Sequence, residues 1–87
     1  MYLINGVEVS KEEFNIPVEN LAIWRGDGIF EAIAIHKGYL FGIDKHMERF
    51  AQSAVKMFFN NINFQEIKDN LISIASNYDD GYMSVII

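Results

Sequence analysis

His46, Arg49 and Ser53 stand at i, i+3 and i+7, the spacing that places three side chains on one face of a helix. An imidazole, a guanidinium and a hydroxyl in such a row can grip an anion. Arg49 is the strongest member, because its planar fork of N–H donors matches a phosphate or carboxylate two bonds at a time. Its alternative is a surface ion pair with Asp44 or Glu48. His46 reads as a supporting histidine that makes one structural hydrogen bond. A metal centre would need further ligands at fitting spacing, which His36 alone does not supply, so no metal site is expected. Glu31 could pair with Arg25 or Arg49, and no chemistry is assigned to it.

The elements that must position these groups follow from pattern and turn chemistry. Met47, Phe50, Ala51, Ala54 and Phe58 form an apolar stripe beside the polar row. This predicts an amphipathic helix capped by Asp44 and running to about Phe58. Asn63, with Glu66 three residues on, is capping-box-like and opens a second helix. The stripe of that helix is Phe64, Ile67, Leu71, Ile74 and Tyr78, and Asp79-Asp80-Gly81 ends it, with Gly81 suited to a left-handed cap. Asn5-Gly6 between Tyr2–Ile4 and Val7–Val9 is a strong hairpin signal. Ser10–Asn20 reads as loop, with a turn of helix near Lys11–Phe14. Apolar Leu21–Trp24 leads into Arg25-Gly26-Asp27-Gly28, where two glycines allow positive φ and close approach. Ile29–His36 reads as a strand buried on both faces. Lys37-Gly38 turns the chain into Tyr39–Phe41, and Tyr82–Ile87 is the last strand. The expected fold is α+β: one domain over residues 1–87, its antiparallel sheet built from hairpins and covered on one side by two amphipathic helices.

Composition narrows the function classes. Apolar residues make up 51% and charged residues 22% of the 87 residues, as in a globular domain. Net charge is −5 and the seven basic residues are scattered singly, which argues against nucleic acid as a partner. No apolar run approaches the ~18 residues of a membrane span, and no export signal is visible, so a cytoplasmic location is the default. The adhesion tripeptide Arg25-Gly26-Asp27 is set aside on the same grounds. Without cysteine, disulfides, thiolate metal sites and thiol catalysis are excluded. The terminal run Tyr82–Ile87 is apolar and β-rich, and left exposed it would invite edge pairing. Either it is paired on both sides within a small sheet, or something outside the chain completes it. The second reading is the one adopted.

The segments RGDGIFE (Arg25–Glu31) and HMERFAQSA (His46–Ala54) resemble the class IV pyridoxal-phosphate enzymes, which include branched-chain and D-amino-acid aminotransferases and aminodeoxychorismate lyase. The resemblance runs through essentially the whole chain but only the first part of such an enzyme. It implies an α+β small domain, with the C-terminal catalytic domain absent. It implies pyridoxal 5′-phosphate as cofactor of the complete enzyme, Arg49 as the phosphate anchor, and Phe30 and Tyr82 as substrate-pocket walls. Supporting roles go to His46, Gly28 and Glu31. In branched-chain enzymes an arginine usually follows the strand tyrosine by two residues. Ser84 stands there instead, which puts branched-chain specificity in doubt. None of Lys11, Lys37, Lys45, Lys56 and Lys68 matches the Schiff-base position, so no catalytic residue is assigned and the chain alone is expected to be inactive. The implied reaction of the complete enzyme is amino-group exchange between an amino acid and a 2-oxo acid. The alternatives are a lyase domain, or a non-catalytic module that pairs through its last strand. A homodimer, or the missing C-terminal domain, is the implied partner.

Overall fold

Two tight turns fix the hairpins. Asn5 and Gly6 take φ of 50° and 82°, and Lys37 and Gly38 take 51° and 80°. Successive positive φ values give the turn twist that antiparallel strands favour. In the computed structural model, which describes all residues 1–87, the first turn joins β1 (Tyr2–Ile4) to β2 (Val7–Val9). The second joins β3 (Phe30–His36) to β4 (Tyr39–Leu40). The closing strand, β5 (Asp80–Ile86), returns antiparallel to β3, giving a three-stranded sheet in the order β4-β3-β5. Ile29 and Ile87 extend the β3–β5 ladder through N–H···O bonds of 2.8 and 2.9 Å. No strand of this chain pairs with the second edge of β5.

The connecting segments show what local chemistry decides. Ser10 and Glu13 form a reciprocal capping box around the expected turn: the Ser10 N–H donates to the Glu13 carboxylate at 3.0 Å, and the Glu13 N–H to Ser10 Oγ at 3.2 Å. Leu21–Arg25 forms a short helix, α1, that was not expected. Both of its signals were in the sequence: Asn20 accepts from the Ala22 N–H at 2.9 Å, and Gly26 closes the helix in the left-handed region at φ 69°. Gly28, unlike Gly26, does not take positive φ, and a Cβ there would make ordinary contacts of 3.5 Å with the Ile87 carbonyl oxygen and Ala22 Cβ.

Helix α2 (Ile43–Lys56) and helix α3 (Phe64–Ala75) cover one face of the sheet. Three boundary expectations need correction. The N-cap of α2 is Gly42, at φ 65°, while Asp44 lies in the first turn and bonds Lys68 of α3 at 2.7 Å. The helix ends at Lys56, because Phe58 turns into the left-handed region at φ 58°. Gly81 does not cap α3, which stops at Ala75; Gly81 lies within β5. The Asn63 cap is as expected, its side chain accepting from the Glu66 N–H at 3.1 Å.

The core is thin. Ile29, Ile33, Met47, Phe50, Ala54 and Leu71 form its centre, and Phe50 meets the Phe64 ring edge-on at 5.8 Å between centroids. Every fully buried residue lies at or beyond Ile29. The β1–β2 hairpin and α1 therefore add little to the core, although Tyr2 and Phe14 pack together at 5.1 Å. β3 also departs from expectation. It alternates strictly, with Glu31, Ile33 and Ile35 buried under the helices and Phe30, Ala32 and His36 exposed. A run rich in isoleucine and alanine looks uniformly apolar by letter, but the period of two puts the alanines and Phe30 on the open face.

Candidate functional site

Glu31 shares the helix-covered face of β3 with Ile33 and Ile35 and sits opposite Val85 of β5. Only 4% of its surface is exposed. A carboxylate buried to that degree needs cationic or N–H partners, since desolvating it alone is prohibitive. Helix α2 supplies them. Its stripe of Met47, Phe50 and Ala54 packs into the core, which brings the adjoining His46–Arg49 row to the margin of the same layer.

Arg49 grips Glu31 with two parallel bonds, Nε to Oε1 at 2.7 Å and Nη2 to Oε2 at 2.6 Å. His46 Nδ1 stands 2.7 Å from Oε2. An ionised carboxylate can only accept, so the proton of a neutral His46 lies on Nδ1 and its Nε2 is left without a partner in this cluster. The fork–fork geometry is the strong form of an arginine–carboxylate pair. The Arg49 guanidinium, hydrogen-bonded to Glu31, holds the carboxyl at about 2, well below its ordinary 4.5; burial opposes this and the His46 contact adds to it. The same contacts raise Arg49 above its usual value. With His46 neutral the cluster carries no net charge, and protonation of His46 makes it +1.

Arg49 nevertheless keeps 66% of its side chain exposed. Nη1 makes no bond to Glu31, so that edge of the guanidinium faces outward with donors to spare. Neither Asp44 nor Glu48 pairs with it, and Arg25 bonds Asp27 at 3.5 Å instead of Glu31. Two shallow surface hollows lie at the β3–β4 turn, against Lys37, Tyr39 and Leu40.

Not all the predicted site residues come together. Glu31, His46 and Arg49 form one cluster, while Ser53 stays outside it. Phe30 and Tyr82 lie on the opposite, uncovered face of the sheet, 72% and 84% exposed. Phe30 pairs with Ile86, and Tyr82 with Ala34. Four residues of strand thus separate the two rings, roughly 13 Å at ~3.3 Å per residue. Gly28 lies at the end of the sheet, next to the Ile29–Ile87 backbone pair, and outside the Glu31 cluster. Glu31 is the residue whose weight the sequence reading missed. Its signal was the period of two it shares with Ile33 and Ile35, which places a carboxylate inside the layer and so requires a cation beside it.

The D-alanine aminotransferase of Bacillus licheniformis is 30% identical over 88 residues, an alignment covering 95% of this chain and 31% of that enzyme. This chain belongs to the class IV pyridoxal-phosphate-dependent aminotransferase family, in which it corresponds to the small domain. The D-alanine aminotransferase of Staphylococcus epidermidis is 41% identical over 51 residues, covering 59% of the chain and 18% of the enzyme. Branched-chain-amino-acid aminotransferase-like protein 2 of Arabidopsis thaliana is 32% identical over 62 residues, 70% of the chain and 11% of that protein. Among solved structures, the 4-amino-4-deoxychorismate lyase of Pseudomonas aeruginosa superposes with a TM-score of 0.80 at 18% identity. That match covers 94% of this chain and 28% of that one, and it shows the shared α+β fold. No family model matches the sequence. The chain spans less than a third of the length of the curated relatives it matches: 31% of the Bacillus enzyme and 18% of the Staphylococcus one. No helix is long and apolar enough to cross a membrane.

Proposed function

We propose that this chain supplies the phosphate anchor of a pyridoxal-phosphate-dependent aminotransferase, with Arg49 as the anchoring residue. The observation that carries the proposal is the Arg49 guanidinium, locked on buried Glu31 through Nε and Nη2 while its Nη1 edge stays open. An ester phosphate fits this corner. Three N–H bonds to the Glu31 oxygens offset the carboxylate's repulsion of a second anion, and Nη1 with the second N–H of Nη2 supplies the fork that an anion recognises. His46 Nε2 becomes a further donor when the ring is protonated.

Pyridoxal phosphate, when bound, supplies an electron sink that stabilises negative charge at the carbon bearing the amino group. The reaction of the complete protein is then amino-group exchange between an amino acid and a 2-oxo acid. Both D-alanine aminotransferase relatives support that class. Phe30 and Tyr82 wall the substrate side from the open face of the sheet, and Ser84, which pairs with Ala32, stands where branched-chain enzymes usually carry an arginine. The reactive lysine comes from outside this chain, as none of its lysines joins the Glu31 cluster. A second copy, or further polypeptide on the open face of the sheet, is the partner this arrangement calls for. The cytoplasm is the proposed location.

Calorimetric titration of inorganic phosphate into wild type and Arg49→Ala tests the anchor. Binding by wild type that is lost in the variant supports it, and equal weak binding by both removes Arg49 from the role. Incubation with pyridoxal phosphate followed by borohydride tests the missing lysine. A trapped stoichiometric lysine adduct would refute that part of the reading.

A further inference from the structure

Resting on the anchor reading above, we infer that Glu31 is a positioning residue for phosphate recognition: it holds the guanidinium of Arg49 in one orientation and the imidazole of His46 in one tautomer, so that Nη1 and Nε2 are the nitrogens left to meet the ligand. Three observations combine. The carboxylate is buried and fixed on the central strand, so its two oxygens form a rigid template. Both oxygens are used: Oε1 takes Arg49 Nε, and Oε2 takes Arg49 Nη2 and His46 Nδ1. The two groups it holds differ in what they keep free, Arg49 three N–H donors, two on Nη1 and one on Nη2, and His46 its far ring nitrogen. Behind His46, the cap residue Gly42 approaches the ring, its ideal Cβ position lying 3.9 Å from His46 Cδ2.

Without the template, a mostly exposed arginine samples many rotamers, and binding must then pay the cost of ordering it. Fixing a long side chain costs about 0.5–1.5 kcal/mol, which converts to between about twofold and tenfold in affinity. Coulomb's law pulls the other way, because Glu31 carries negative charge close to where an anion would sit. The two roles therefore predict opposite signs. As a mere charge, Glu31 weakens phosphate binding; as a template, it strengthens it.

The experiment titrates inorganic phosphate into the full chain, read by the Nε–H resonance of Arg49 and by calorimetry. Glu31→Asp keeps the charge and withdraws the carboxylate by one methylene, so that it can no longer reach both partners. Phosphate affinity is expected to fall between about twofold and tenfold, and an unchanged affinity in the folded variant would overturn the inference. Glu31→Gln removes the charge and offers a single acceptor oxygen. No gain in affinity is expected, and tighter binding would show Glu31 to be a repelling charge only. Circular dichroism identifies a variant that has lost its fold, in which case the other variant decides. Ring nitrogen shifts of His46 in wild type need no variant, and a neutral ring protonated on Nε2 would overturn the template directly. Absence of any phosphate response in wild type would instead overturn the anchor reading itself. A wild-type response that survives Glu31→Asp unchanged would overturn only the role of Glu31.

Discussion

Acid should release the Glu31 clamp, and the energy involved can be worked from the site. The folded carboxyl titrates at about 2 against an ordinary 4.5. Because the folded value is the lower one, the clamp's contribution is fully present above pH ~4.5 and is lost as pH falls from there toward ~2. The full shift corresponds to about 3 kcal/mol. Solvent reaches the guanidinium, which is two-thirds exposed, and screening reduces the working figure to about 1–2 kcal/mol. For a small domain that is a sizeable fraction of a stability of roughly 5 kcal/mol. The assay is urea unfolding followed by circular dichroism, at pH values from 7 to 2, on wild type and Glu31→Gln. Glu13 also titrates below its ordinary value, because Ser10 hydrogen-bonds its carboxylate. That effect is common to both proteins and cancels in the difference. Wild type should be the more stable by about 1–2 kcal/mol at neutral pH, and the gap should shrink steadily below pH ~4.5 and nearly close by pH ~2. A gap that stays constant across the range would refute the reasoning, since it would mean that ionised Glu31 gains nothing from Arg49 and His46.

Three further outcomes follow from the fold. Phe50 is wholly buried and packs edge-on against Phe64, so Phe50→Ala should cost about 3–5 kcal/mol and leave the chain largely unfolded by circular dichroism. Phe58 is held at φ 58° with 87% of its surface exposed. Phe58→Asn should therefore raise the urea midpoint, by about 0.5–1 kcal/mol of stability, because asparagine tolerates the left-handed region better and little packing is lost. Asn63→Ala removes the acceptor of the Glu66 N–H and should cost about 1 kcal/mol, read as a lower thermal midpoint.

The sequence was most legible where one residue type has one physical use. Asn5-Gly6 and Lys37-Gly38 marked both hairpin turns, and Asn63 marked the start of α3. The two apolar stripes gave the helices and, through Met47, Phe50, Ala54 and Leu71, their buried faces, but the last residue of each stripe, Phe58 and Tyr78, lies past the helix end and is exposed. It was least legible where two residues competed for one task. Asp44 looked like the cap of α2, but Gly42 can adopt the left-handed entry that the turn from β4 requires, and this frees Asp44 to reach Lys68. Gly81 looked like a helix stop, but pairing opposite Ile35 on the central strand draws it into β5. Helix α1 was hidden by its shortness, since five residues carry no visible period.

The candidate site was half legible for a related reason. The spacing of His46 and Arg49 put both on one helical face, and that face did reach the sheet. Reading β3 as buried on both sides obscured that Glu31 points at the helix while Phe30 points away. The same alternation separates the Arg49 cluster from the exposed Phe30 and Tyr82 rings. Arg49 belongs to the covered layer, whereas Phe30, Tyr82 and Ile86 line a sheet face that nothing in this chain covers. The chain holds an organised Glu31–His46–Arg49 corner and an open aromatic surface, and the bare edge of β5 adjoins that surface.

The most direct test of the central claim is a map of side-chain nitrogen shifts as inorganic phosphate is added to the full chain. Saturable shifts centred on Arg49 Nε and the His46 ring, and abolished in Arg49→Ala for the His46 signal, are the predicted result. Shifts that centre on the lysines, or a His46 response that persists unchanged in Arg49→Ala, would contradict it.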